Sequence, residues 1–223
     1  MDITNWLLSL AIPKDVLEIL IIIPILATLI SIGRYVIGFK TLGIYAPIIL
    51  AIGFKLTGLR YGLILTLLVV IASLIGYRFL SKVRMHYITR VAANYSLLSI
   101  LLISGIITFD NISFLGFTNF DKINPIGVVL IATLSDFFIK MYVKKSLVTS
   151  LRSLFETVLI STIGWYVITS QNLTTIVFKN LWILPLLIGI NLFLGQYKGF
   201  RLKEIFRFRS ISSHGLDNKP SSK

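Results

Sequence analysis

Seven apolar stretches follow one another along this chain with only short polar gaps between them, and that recurrence limits the fold more than any single motif. A bilayer core about 30 Å thick takes about 20 apolar residues per helix, and most of the stretches approach that length. Only 14% of the residues are charged while 56% are hydrophobic; an ordinary soluble domain carries about 25% charged residues. Polar surface is too scarce to coat a globule, so the stretches must face lipid. The expected fold is an all-α membrane protein of about seven transmembrane helices. Residues 1–211 are read as one polytopic domain, and 212–223 as a disordered polar tail.

The same residues exclude several chemistries. Cysteine is absent, which removes disulfides, thiolate metal sites and cysteine nucleophiles. Two histidines, His86 and His214, are too few for a zinc enzyme. The start of the chain lacks the basic n-region and small-residue cleavage site of a secretory leader. A net charge of +13 could suggest nucleic acid, but the cations are interspersed with the spans and no recognition module carries them. No metal, cofactor or catalytic constellation is expected.

Hydropathy places the first span at about Val16 to Gly33, with Pro24 inside it. The second stretch, Leu42 to Phe54, carries Gly43, Pro47 and Gly53 and is too short to cross comfortably, so it is either an interrupted span or a re-entrant element. Leu59 to Tyr77, Ile88 to Phe109, Pro125 to Tyr142 and Leu151 to Ile168 are the third to sixth spans. Phe178 to Leu194 is the seventh, with Pro185 inside it. If the C-terminus is cytoplasmic, 17 of the 22 Lys and Arg lie on the inner side, and the reverse orientation inverts that ratio. The positive-inside rule therefore puts the C-terminus in the cytoplasm and, with seven crossings, the N-terminus outside the inner membrane. A re-entrant second stretch moves only the N-terminus.

A weak internal repeat runs through the spans. Thr57-Gly58-Leu59-Arg60 and Ile75-Gly76-Tyr77 bracket the third, as Thr149-Ser150-Leu151-Arg152 and Ile163-Gly164-Trp165 bracket the sixth. A Pro- or Gly-containing stretch precedes each. Two units of three spans have opposite orientations, which gives the 3+3 inverted repeat that many transporters use to build a midplane site.

Ionisable groups within spans are costly and tend to face the bundle interior. Asp136 lies midway along the fifth span, with Lys140 one turn later as an ion-pair partner at helical spacing; Arg152 and Glu156 repeat the spacing in the sixth. Arg90 and Asn94 share one helix face. Arg34 and Lys40 flank a Gly-containing turn that leads to Pro47. The candidate pathway or substrate residues are therefore Arg34, Lys40, Pro47, Arg90 and Asp136. Asn191, in the seventh span, is expected to make an interhelical hydrogen bond. Beyond it, residues 196–211 alternate aromatic and basic groups straight after a cytoplasmic helix end. Lys198, Arg201, Glu204, Arg207 and Arg209 are read as headgroup-binding or partner-docking residues.

Two segments carry a family resemblance: Arg34 to Phe54 (RYVIGFKTLGIYAPIILAIGF) and Asn191 to Arg209 (NLFLGQYKGFRLKEIFRFR). With the third span, they resemble the bacterial seven-transmembrane domain often fused to an inactive transglutaminase-like domain. The residues that match its pattern are Arg34, Gly38, Thr41, Gly43, Pro47, Arg90, Asn191, Gly195, Tyr197, Gly199, Arg201, Glu204, Arg207 and Arg209. Gln196 stands where the family has Arg, and Ser135-Asp136 where it tends to have Glu-Arg. The first two-thirds is more faintly similar to the membrane subunit of poly-gamma-glutamate (capsule) synthase. The resemblance implies a non-catalytic membrane subunit that works with a cytoplasmic ATP-grasp-type ligase on a peptide-like or polyglutamate-like product. It also implies a separate extracytoplasmic transglutaminase-like protein. The competing expectation is a stand-alone transporter of an anionic solute, with Arg90 and Asp136 lining its path. An intramembrane enzyme is disfavoured because no nucleophile and base can be paired.

Overall fold

A computed structural model describes residues 14–112, 124–170, 176, 177, 180 and 182–196. Among them all regular structure is helical. Five helical segments are long and apolar enough to cross a membrane: Ile19–Ile37, Leu59–Leu80, Ile88–Thr108, Pro125–Lys144 and Leu147–Thr169. Two shorter apolar helices, Tyr45–Thr57 and Ile183–Gln196, complete the seven. The chain divides into two compact units, Met1–Lys40 with Ile176–Lys223, and Thr41–Thr175.

In the first unit, α1 (Lys14–Ile32) continues into a π-helical turn, Gly33–Ile37, that is closed where the Gly38 and Phe39 amides both donate to the Gly33 carbonyl at 3.0 Å. Gly38 ends the turn at φ 89°, a left-handed conformation that favours glycine. The Thr28 hydroxyl donates to the carbonyl of Pro24 and accepts the side-chain amide of Asn191 at 2.7 Å. Asn191 belongs to α8 (Ile183–Gln196), so it makes the interhelical bond its sequence position led one to expect. Pro185 falls in the first turn of α8, where a missing amide hydrogen costs little.

The second unit holds α2 (Tyr45–Thr57), α3 (Leu59–Leu80) and α4 (Tyr87–Ile112). Two shorter segments, α5 (Pro125–Ala132) and α6 (Leu134–Lys144), make one span, and α7 (Leu147–Thr169) follows. The 13 residues of α2 reach about 20 Å, short of the hydrocarbon thickness. Its interruption lies before the helix rather than within it. Pro47 stands in the first turn, fully buried, and the non-helical approach is tied down by side chains. Thr41 donates to the Gly43 carbonyl at 2.7 Å, the Leu42 amide donates to the Thr157 hydroxyl at 2.9 Å, and Ser161 donates to the Pro47 carbonyl at 3.1 Å. Gly43 adopts φ 120° within that approach.

Two stripes of small residues explain the packing. Gly62, Thr66, Val69, Ser73 and Gly76 recur at alternating four- and three-residue steps on α3, and all are buried. Ser150, Ser153, Thr157, Ser161 and Gly164 form a second buried stripe on α7, at steps of three, four, four and three. Small residues let helix backbones approach closely where lipid supplies no hydrophobic drive. The large residues point outward instead: Leu67, Ile71, Ile75 and Phe79 on α3, and Phe155, Leu159, Ile163 and Tyr166 on α7, are exposed. That inside-out pattern is what hydrocarbon solvation requires. The core between α2, α3 and the fifth span is built on Leu50, Phe54, Val69, Ile131 and Phe138.

Within this unit α2 packs on α7 and on α5, while α3 packs on α4 and on both halves of the fifth span. Exchange of spans two and three with five and six maps these pairings onto one another, apart from that of α4. The local strings of the repeat are less alike. Thr57 to Arg60 straddles a break at Gly58, φ 81°, whereas Thr149 to Arg152 lies inside α7, which Ser146 caps four residues earlier than hydropathy indicated.

Candidate functional site

The fifth span is not a continuous helix. Thr133 turns its hydroxyl onto the Leu130 carbonyl at 2.7 Å, and the Asp136 amide donates to the Thr133 carbonyl three residues back at 3.2 Å. A side chain that competes for a helix's own carbonyls loosens it locally, and here the ladder tightens at Thr133 before α6 begins. The hitch sets the rotation of α6. It buries Ser135 completely against α3 and leaves Asp136 half-buried.

Ser135 is the middle of a buried polar chain. Its hydroxyl lies 2.7 Å from that of Ser73 and 3.0 Å from the side-chain nitrogen of Asn94, and Ser73 bonds the Val69 carbonyl. Asn94 and Ser73 both donate to the Ser135 hydroxyl, and the Ser73 hydroxyl is shared with the Val69 carbonyl. Asn94 therefore turns its nitrogen toward α6 and is left with a buried carbonyl oxygen that has no partner. Gly76 makes the room for that oxygen, since a β-carbon there would lie 2.6 Å from it.

Next to this chain is a recess of about 50 Å³ between the last turn of α3, the first turns of α4 and the first turns of α6. Arg90, Asn94, Asp136 and Lys140 supply its polar groups. Its apolar wall is formed by Leu80, Val91 and Ile139, with the ring of Tyr77, which meets Tyr142 edge-on at 5.2 Å. Arg90 buries its Nε without a partner and reaches the Val83 carbonyl only at 3.5 Å. Asp136 and Lys140, although one turn apart, form no ion pair within 4 Å; Arg152 and Glu156 at the same spacing do, at 3.5 Å. The ends of α3 and α6 beside the recess carry Arg78, Lys82, Arg84, Lys144 and Lys145, all exposed. Among the described residues no group of three or more His, Cys, Asp or Glu comes together to hold a metal.

Residues 3–212 match the family described as 7 transmembrane helices usually fused to an inactive transglutaminase. The chain belongs to that family. No curated protein and no solved structure matches it.

For this seven-transmembrane family member, the structure separates the sequence-derived candidates. It brings Arg90 and Asp136 to one recess. Pro47 lies elsewhere in the same unit, against α7 through Ser161. Arg34 and Lys40 are exposed residues of the other unit, on and just after the π turn. Lys198, Arg201, Glu204, Arg207 and Arg209 lie outside the described residues, as do Tyr197 and Gly199 of the closing motif. Among the described motif residues, Gly38 and Gly43 take positive φ, Thr41 braces Gly43, and Asn191 bonds Thr28. Sequence reasoning missed Ser73, Ser135 and Tyr77. The alternating small-residue stripe on α3 was the available signal, since it marks the face on which Ser73 and Gly76 meet their neighbours.

Proposed function

We propose that this chain is a non-catalytic subunit of the cytoplasmic membrane. It couples a cytoplasmic ATP-grasp-type ligase to the synthesis or export of a peptide-like or polyglutamate-like product. The observation that carries the reading is the family match over residues 3–212, a seven-helix module whose usual fusion partner is inactive. The polar chemistry of the helices agrees with a scaffold: hydroxyls of Thr28, Ser73, Ser135, Thr157 and Ser161 hold helices and connections together. The concentration of cations at one end of the spans favours that end as cytoplasmic, where an acidic partner or product would be attracted. The basic segment containing Arg201, Arg207 and Arg209 is the docking element, and a transglutaminase-like partner acts on the opposite side.

The test is affinity purification of the tagged chain from native membranes in mild detergent. A ligase should co-purify, and simultaneous Arg201→Ala, Arg207→Ala and Arg209→Ala should release it while the membrane domain still elutes as a folded species. Recovery of no partner, or equal recovery with the triple variant, would overturn the docking model. One observation favours the transport alternative, the shared recess of Arg90 and Asp136. Purified protein in liposomes should then move an anionic solute with a flux altered by Asp136→Asn; absence of flux removes that reading.

A further inference from the structure

The recess between α3, α4 and α6 is incomplete as a hydrogen-bonding site, and what it lacks specifies its occupant. Arg90 presents a buried N–H with no acceptor, and Asn94, 4% exposed, presents a carbonyl oxygen with no donor. Buried polar groups of native proteins are almost always satisfied. The Asn94 nitrogen is engaged by the Ser135 hydroxyl, so the oxygen is the amide atom left without a partner. The occupant must therefore bring an acceptor and a donor together.

The charges repeat that demand. Arg90 and Lys140 are cations, while Asp136, with no ion pair to Lys140, is an anion. A simple anion would satisfy Arg90 and oppose Asp136; a simple cation would do the reverse. A zwitterion matches both. Level selects among zwitterions: Tyr77, Arg90 and Lys140 each lie within about one turn of a helix end, with Asn94 and Asp136 one turn deeper, at the basic end of the spans, where lipid headgroups meet protein. The volume of about 50 Å³ holds roughly four waters, which admits the polar end of a headgroup and leaves the rest at the membrane surface. Leu80, Val91 and Ile139 offer apolar surface to its methylenes.

We infer that this recess binds the phosphoethanolamine headgroup of an aminophospholipid, with phosphate oxygens accepting from Arg90 and Lys140 and the ammonium donating to Asn94 and Asp136. The site is independent of the proposed docking element, and a recess occupied by lipid would be closed to the solute of the transport alternative.

Native mass spectrometry of the full-length chain, delipidated and then offered one lipid at a time, tests it. Phosphatidylethanolamine should be retained about tenfold over phosphatidylcholine, whose methylated nitrogen has no N–H, because a charge-assisted hydrogen bond is of that order. Arg90→Gln should lower retention of phosphatidylethanolamine and phosphatidylglycerol alike by about tenfold. Asp136→Asn should lower only the former, a split that a merely structural role for Asp136 would not produce. If Arg90→Gln fails to fold, exposed Lys140→Gln serves in its place. Equal retention of the three lipids, or of phosphatidylethanolamine by wild type and both variants, overturns the site. If soluble O-phosphoethanolamine raises the melting temperature of the delipidated protein as far as the lipid does, the occupant is a free metabolite and the lipid assignment fails.

Discussion

Glycine is used for opposite ends at two places in the same unit. Where α2 crosses α5, Gly53 and Gly127 lie against each other's backbones: a β-carbon on Gly127 would stand 3.3 Å from the Gly53 carbonyl, and one on Gly53 would stand 3.6 Å from the Gly127 carbonyl. The missing side chains bring two helices into contact, and the adjacent Thr57 hydroxyl is satisfied by the Gly53 carbonyl at 2.9 Å. On α3, Gly76 also lacks a side chain, but the space goes to the Asn94 oxygen, which is left without a donor. The first place is closed, apolar and complete. The second is open and polar, with hydrogen bonding still to be supplied. The difference separates a contact that holds the fold from a cavity that the fold holds open.

The largest effect should come from breaking the closed contact. In Gly127→Ala the new carbon would meet the Thr57 methyl at 2.5 Å and the Leu56 β-carbon at 3.0 Å. Neither neighbour yields easily, since Thr57 is fixed by its hydrogen bond and a β-carbon moves only with its backbone. Overpacking of this kind costs about 1–3 kcal/mol, so thermal unfolding in detergent should shift down clearly. Gly189→Ala in α8 is the matched control. Nothing lies within 4 Å of its added carbon, and an alanine in a helix interior is favoured over glycine by about 1 kcal/mol. A melting temperature that falls equally in both variants would mean that the α2–α5 approach is not what Gly127 permits.

The open site should respond differently. Asn94→Leu removes the unpartnered oxygen, but it also takes the donor from Ser135, so the loss should be about 1 kcal/mol, smaller than at Gly127. Filling the recess with leucine should at the same time abolish preferential retention of phosphatidylethanolamine. A variant as unstable as Gly127→Ala, with lipid preference intact, would reverse the assignment of the two glycines: Asn94 would then serve the fold and not the cavity.

Most of the helices were legible because hydrocarbon selects for length and hydropathy, which are local properties. The reading of Leu59 to Tyr77 falls within α3, and the shortness of the second stretch is real. What failed was the meaning of punctuation. Pro47 reads as an interruption, yet it starts a helix, because a proline in the first turn lacks only an amide that would go unbonded anyway. Thr133 carries no such warning, yet it is where the fifth span breaks. For the recess, Arg90, Asn94 and Asp136 each stood out as polar groups among apolar ones. Their convergence depends on the register of α3, α4 and α6 and on the hitch at Thr133, which no spacing within one helix records. The Asp136–Lys140 step shows the same limit: helical spacing permits an ion pair, and tertiary packing decides whether one forms.

Arg152 and Glu156 sharpen that last point, with the smallest expected effect. They have the spacing that Asp136 and Lys140 have, and they do pair, but Arg152 has a side chain 72% exposed while that of Glu156 is 7% exposed. The exposed partner gains little from the pair because solvent screens it and its side chain loses freedom to hold one geometry. Arg152→Gln should therefore lower stability by no more than about 0.5 kcal/mol, with the shift in melting temperature shrinking further at high salt. A loss several times larger would show that Glu156 depends on Arg152 for its charge, as a buried carboxylate left without its cation does. The pair would then belong with the Gly53–Gly127 crossing among the contacts that hold the fold.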